Sequence, residues 1–122
     1  MSKKNIKQEL GFIECQRLSI DKGSITQGTS ITTGVTLNKP AGIITTVSTT
    51  LATRGNTSFT VTNNYVSSDT LVLASILNYS GSNGQPTVRA NTVTDGSFNI
   101  TLSNADDISA LNGAVKIGYT LL

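Results

Sequence analysis

The chain has no His, no Trp, a single Cys and only two Pro among 122 residues, and Asp, Glu, Lys and Arg together make up 13% of it, against about 25% in an ordinary soluble domain. Each shortage removes a class of function. Without His there is no Ser-His-Asp or Cys-His catalysis, no imidazole base and no zinc site that needs an imidazole ligand. One Cys excludes an intrachain disulfide, a four-Cys zinc site and an iron–sulfur cluster. Cys15, among Phe12, Ile13 and Leu18, reads as a reduced thiol with no base to activate it. No catalytic, metal-binding or cofactor-binding constellation remains, and the sequence predicts that the protein is not an enzyme. In place of charge stand 19 Thr, 14 Ser and 11 Asn. A surface of hydroxyls and amides suits a structural or binding role.

The net charge of +2 is unevenly distributed. Residues 1–22 hold five basic and three acidic side chains, half of all the charge, while residues 23–122 hold four of each. This shift predicts an N-terminal arm, 1–22, ahead of a neutral body, 23–122. Lys3, Lys4, Lys7 and Arg17 with the apolar Phe12, Ile13 and Leu18 make the arm a candidate docking segment. The three lysines are too few and too mixed with Glu9 and Glu14 to suggest nucleic-acid binding. Gln8, Glu9, Glu14, Gln16 and Arg17 interrupt any apolar run before a secretory signal could form, and no stretch approaches the roughly 18 apolar residues of a membrane helix. The expectation is synthesis in a cytoplasm, with no membrane partner.

From Gly23 onward the hydrophobic period is two. Thr57–Thr62, Ser97–Leu102 and Val115–Leu121 alternate polar and apolar residues as half-buried strands do. Leu71-Val72-Leu73-Ala74-Ser75-Ile76-Leu77 is apolar on both parities, which predicts that the strand Thr70–Tyr79 is covered on both faces at the centre of the fold. Further strands are predicted at Ser24–Gln27, Ser30–Leu37, Ile43–Ala52 and Thr87–Thr94, all rich in β-branched residues. Turn signals separate them, including Asp95-Gly96 as a two-residue hairpin and Asn112-Gly113. Asn63–Asp69 and Asn104–Leu111 carry no strand pattern, and each has room for one helical turn. The pattern predicts an all-β fold: an antiparallel β-sandwich or small barrel of about eight short strands, preceded by the extended arm. With so few aromatics and no disulfide, self-association is the natural supplement to its small core.

Three surface features are candidate sites. Asn104, Asp106 and Asp107 offer adjacent oxygen ligands but lack the distant acid of a calcium loop, and read as a turn. The glycosylation-like triplets at Asn56, Asn78 and Asn99 are expected by chance in a chain this rich in Ser and Thr. Tyr65 and Tyr79, with Asn83 and neighbouring amides, are candidates for contact with a neutral glycan through stacking and hydrogen bonds.

The segments Gly23–Asn38, Pro40–Thr46, Leu51-Ala52, Phe59–Asn63, Asp69–Ile76, Gly96–Asn104 and Leu111–Ile117 resemble, in order and spacing, a β-rich domain of structural proteins from marine tailed bacteriophages and some large viruses. The resemblance covers about the last hundred residues and implies a jelly-roll-like sandwich at the virion surface, trimeric, used as a capsid decoration, fibre or spike module. Its implied partners are further copies of the chain and a major capsid or other virion protein, with host surface glycan as the alternative. Longer members of that family often carry the domain at the end of a larger chain; with the 22-residue arm before it here, the expectation is a small accessory protein clamped on the particle rather than a long fibre shaft.

Overall fold

The computed structural model describes residues 20–122. Ten strands occur there: β1 (Lys22–Thr26), β2 (Val35–Thr36), β3 (Ala41–Thr45), β4 (Thr49–Leu51), β5 (Asn56–Thr62), β6 (Val72–Tyr79), β7 (Pro86–Thr94), β8 (Ser97–Asn104), β9 (Leu111–Gly113) and β10 (Val115–Leu121). Sheet A has the order β1-β3-β10-β6, sheet B the order β2-β5-β8-β7, and β4 pairs with β9. No helix forms among the described residues: 63–69 holds turns, and of 104–111 the ends belong to β8 and β9 and the rest is an irregular bend.

Alternation decides which side chains go inside. On β10, Val115, Ile117 and Tyr119 are buried while Lys116, Gly118 and Thr120 face outward; on β5, Phe59 and Val61 are buried between exposed Ser58, Thr60 and Thr62. The inner faces of both sheets meet in one core of Val35, Ile44, Phe59, Val61, Phe98, Ile100, Leu102, Leu111, Val115, Ile117 and Tyr119. Phe98 of sheet B and Tyr119 of sheet A join the layers, their ring centroids 5.4 Å apart and tilted by 60°, an edge-to-face geometry favoured by the ring quadrupoles.

Several sequence expectations are corrected. There are ten strands rather than about eight, and the sheets are mixed: β1 runs parallel to β3 and β2 parallel to β5. The strand expected over Ser30–Leu37 shrinks to Val35–Thr36. Ser30–Thr33 closes a turn, Thr33 N–H donating to the Ser30 carbonyl at 3.0 Å and Ser30 N–H to Thr33 Oγ1 at 2.9 Å, because local hydroxyls compete with ladder partners for the backbone. The run Ile43–Ala52 divides at Thr46. There Thr46 Oγ1 accepts the Val115 N–H at 2.9 Å, and Gln27 Oε1 accepts the Val47 N–H at 3.2 Å. Side chains thus satisfy the backbone while the chain leaves sheet A for its pairing with β9. Asn112-Gly113 is strand rather than turn, because a Cβ at Gly113 would fall on the backbone N and Cα of Gly81 and only glycine permits that approach.

The largest correction concerns Thr70–Tyr79. β6 is an edge strand of sheet A, not its centre. Val72, Ala74 and Ile76 turn toward the core, whereas Leu73, Ser75 and Leu77 are exposed. A strand apolar on both parities is compatible with two covered faces or with one covered face and an apolar outer surface; here it is the second.

The Asp95-Gly96 hairpin forms as expected, Gly96 taking φ +87°. Just before it, β7 carries one residue more than β8 between Asn91 and Thr94, a β-bulge in which Thr92 adopts φ +52°.

Candidate functional site

The outer faces of the two sheets differ in chemistry. On sheet B the outward residues are mostly hydroxyls and amides that pair across strands, Ser58 with Thr101 at 2.8 Å, Thr60 donating to Asn99 at 2.9 Å and Asn91 donating to Thr101 at 2.8 Å, with the exposed Arg89 of β7 among them. Most of the polar groups on this surface are paired with one another. On sheet A the outward side of β6 is leucine, with Leu71 63% exposed, Leu73 56% and Leu77 51%. Leu122 continues it at one end, since Leu71 and Leu122 exchange backbone hydrogen bonds of 3.0 and 2.9 Å. Four of the seven large apolar side chains exposed among the described residues therefore share one edge of one sheet. The strands of sheet A contain two lysines, Lys22 and Lys116, and no acidic residue.

A shallow cavity of about 310 Å³ opens on this face between Lys22, Ala41 and Ile43 on one side and Leu73 and Leu77 on the other. Gly118 forms its floor, and a Cβ there would come within 3.0 Å of Leu77 Cδ1, so the glycine leaves the space over which Leu77 lies. The leucine row makes one side of this cavity an apolar, acid-free surface. What it can do is exclude water against another apolar surface.

Buried amides hold the loops around this frame. Asn63, fully buried, donates from Nδ2 to the Lys39 carbonyl at 2.8 Å and to Tyr119 Oη at 3.1 Å, and its Oδ1 accepts the Tyr65 N–H at 2.8 Å. Burial pushes the Tyr119 phenol above its ordinary value, with the Asn63 hydrogen bond opposing. Asn104 donates to the carbonyls of Leu51, Ala52 and Ser109 and accepts from the Gln85 and Asp106 N–H groups. These amides have no sequence signature: nothing distinguishes them from the chain's other Asn until the tertiary fold closes over them.

The residues singled out from sequence fall as follows. Lys3, Lys4, Lys7, Phe12, Ile13, Arg17 and Leu18 lie outside the described residues. Tyr65 is exposed in the turn before β6, whereas Tyr79 closes β6 at its other end. The seven strand residues Val72–Asn78 that separate them span over ~20 Å, about 3.3 Å each, so the structure does not bring the two rings together. Tyr79 is engaged in bracing: its hydroxyl donates to the Asn83 carbonyl and accepts the Asn112 N–H at 2.8 Å. Asn112 Oδ1 in turn accepts the Ser82 and Asn83 N–H groups at 2.9 and 3.0 Å, clasping the 80–85 loop to β9. Asp106 Oδ1 accepts the Ile108 N–H at 2.8 Å and Asp107 pairs with Arg54 at 3.5 Å, while Asn104 points inward. Those oxygens therefore diverge, and among the described residues no three His, Cys, Asp or Glu side chains group as a metal site requires.

No known protein family matches the chain, and neither a curated protein nor a solved structure shows significant similarity to it.

Proposed function

We propose that this protein is a virion structural protein: a homotrimeric capsid decoration, or cement, protein whose body is a jelly-roll-like sandwich and whose residues 1–22 dock it to the shell. The observation that carries the self-assembling part is the row of exposed leucines along the outer side of β6 on sheet A. The fully buried centre of an interface between protein copies is more apolar than the rest of the surface, as this leucine row is. The ordered resemblance of residues 23–122 to phage surface domains supplies the setting.

The mechanism is one of multiplicity. A trimeric body links three arms, so that contacts weak by themselves bind together through their effective concentration. Phe12, Ile13 and Leu18 would be apolar anchors, and Lys3, Lys4, Lys7 and Arg17 would meet acidic shell surface. Deletion of residues 1–19, which leaves β1 whole, should yield a body that still assembles by light scattering but no longer co-sediments with particles. Retention on particles after this deletion rules out docking by the arm. A glycan array distinguishes the alternative, a receptor-binding module of a fibre or spike, by saturable binding to one sugar class.

A further inference from the structure

We infer that the outer ridge of β6, formed by Leu71, Leu73 and Leu77, is the seam along which copies of this chain meet. The inference rests on the self-assembly reading above and names its surface. Alternate residues of a strand project to one side about 6.7 Å apart, so the ridge runs for about 20 Å and ends at a β-bulge, where Leu77 is the extra residue between Ile76 and Asn78. Its leucines are each more than half exposed, an arrangement that water opposes and a matching apolar ridge relieves.

Charge and area select the occupant. Lys22 stands on the far edge strand of sheet A, three strand spacings or about 14 Å from β6, and Lys116 flanks the ridge from the neighbouring strand, paired with Asn78. A partner laid across the whole face would bury both ammonium groups with no acid on these strands to meet them, which is costly. A partner confined to the ridge leaves Lys22 in water and buries leucine on leucine. The entire outer face, four strands by about 25 Å, projects about 480 Å². Two such faces together reach only the roughly 1,000 Å² at which specific interfaces begin. Convergence of ridges on a shared axis lets each copy bury its leucines against two neighbours at once, and so suits a narrow ridge better than a flat pair does.

Sedimentation velocity and multi-angle light scattering on the full chain test this, comparing wild type, Leu73→Ser/Leu77→Ser, the apolar swap Leu73→Ile/Leu77→Met, and Thr87→Asp on the exposed side of sheet B. The expected result is a trimeric wild type, a monomeric serine variant with unchanged circular dichroism, and trimers from the other two. Ser75→Lys, which sets a charge in mid-ridge at a residue already polar and exposed, should also dissociate the assembly and covers the case in which the serine pair fails to fold. If Ser75→Lys and the serine variant assemble like wild type, the seam is refuted while the trimer stands. If wild type is monomeric up to about 1 mM, where even weak association is visible, both the seam and the self-assembly reading fall. A wild-type dimer overturns the convergence on an axis of three.

Discussion

Replacing Asn104 should remove much of the stability of the body. Its side chain donates to the carbonyls of Leu51 at 3.2 Å, Ala52 at 3.3 Å and Ser109 at 2.9 Å, and accepts the N–H groups of Gln85 and Asp106, both at 3.0 Å. It thereby ties the end of β4, the start of β7 and the loop before β9 to the last residue of β8. At 1% exposure, Asn104→Ala leaves two donors and up to three acceptors facing a small void. Each orphaned donor costs roughly 1–3 kcal/mol, so the two N–H groups alone set a loss of about 4 kcal/mol. A domain of this size has about 5–15 kcal/mol in total, and its Tm should fall by about 15–30 °C at roughly 4–8 °C per kcal/mol. Urea and thermal unfolding followed by circular dichroism and tyrosine emission measure this directly, as no Trp interferes. Asn104→Asp sharpens the test: it keeps the acceptor but points a carboxylate at carbonyl oxygens. The folded state then holds the introduced carboxyl protonated, with its pKa above the unfolded value of about 3.9. Its stability is greatest below that value and is lost as pH rises through the folded pKa. A loss under about 1 kcal/mol in the alanine variant, or an aspartate variant whose deficit against wild type does not depend on pH, refutes the reasoning.

The other predictions concern the backbone and the core. Thr92 is β-branched yet sits at φ +52° in the β7 bulge, a region that costs an L-residue about 1–2 kcal/mol, so Thr92→Gly should stabilise the body by about 0.5–1 kcal/mol after the added chain entropy; a lower Tm would show that the threonine is held there for its contacts. Tyr119, whose phenol burial pushes upward, contributes stability that is complete below the ordinary value near 10 and is lost as pH rises through the raised folded value. Tyr119→Phe should abolish that alkaline decline in Tm while costing about 1–2 kcal/mol at neutral pH, because the hydroxyl's hydrogen bonds to Asn63 and the Lys39 carbonyl disappear. Scanning calorimetry from neutral to strongly alkaline pH distinguishes the two effects.

Much of this protein follows from its order of residues alone. Alternation in Thr57–Thr62, Ser97–Leu102 and Val115–Leu121 sets which side chains lie inside, because successive residues of a strand point to opposite faces. Asp95-Gly96 specifies its hairpin locally, through a glycine free to adopt positive φ. Strand pairing is different in kind. Nothing local to Ser24–Thr26 or Val35–Thr36 selects a parallel neighbour, and nothing local to Ile43–Ala52 shows that Gln27 and Thr46 will take over its backbone hydrogen bonds and divide it. The leucines of β6 make the same point for the candidate site. Their apolar character is written in the chain, but whether that outer row is covered by a neighbouring layer or left facing water depends on where the strand falls in its sheet. That position is decided by non-local contacts, and it turns what reads as a strand covered on both faces into the last strand of its sheet, with one row of side chains left outside.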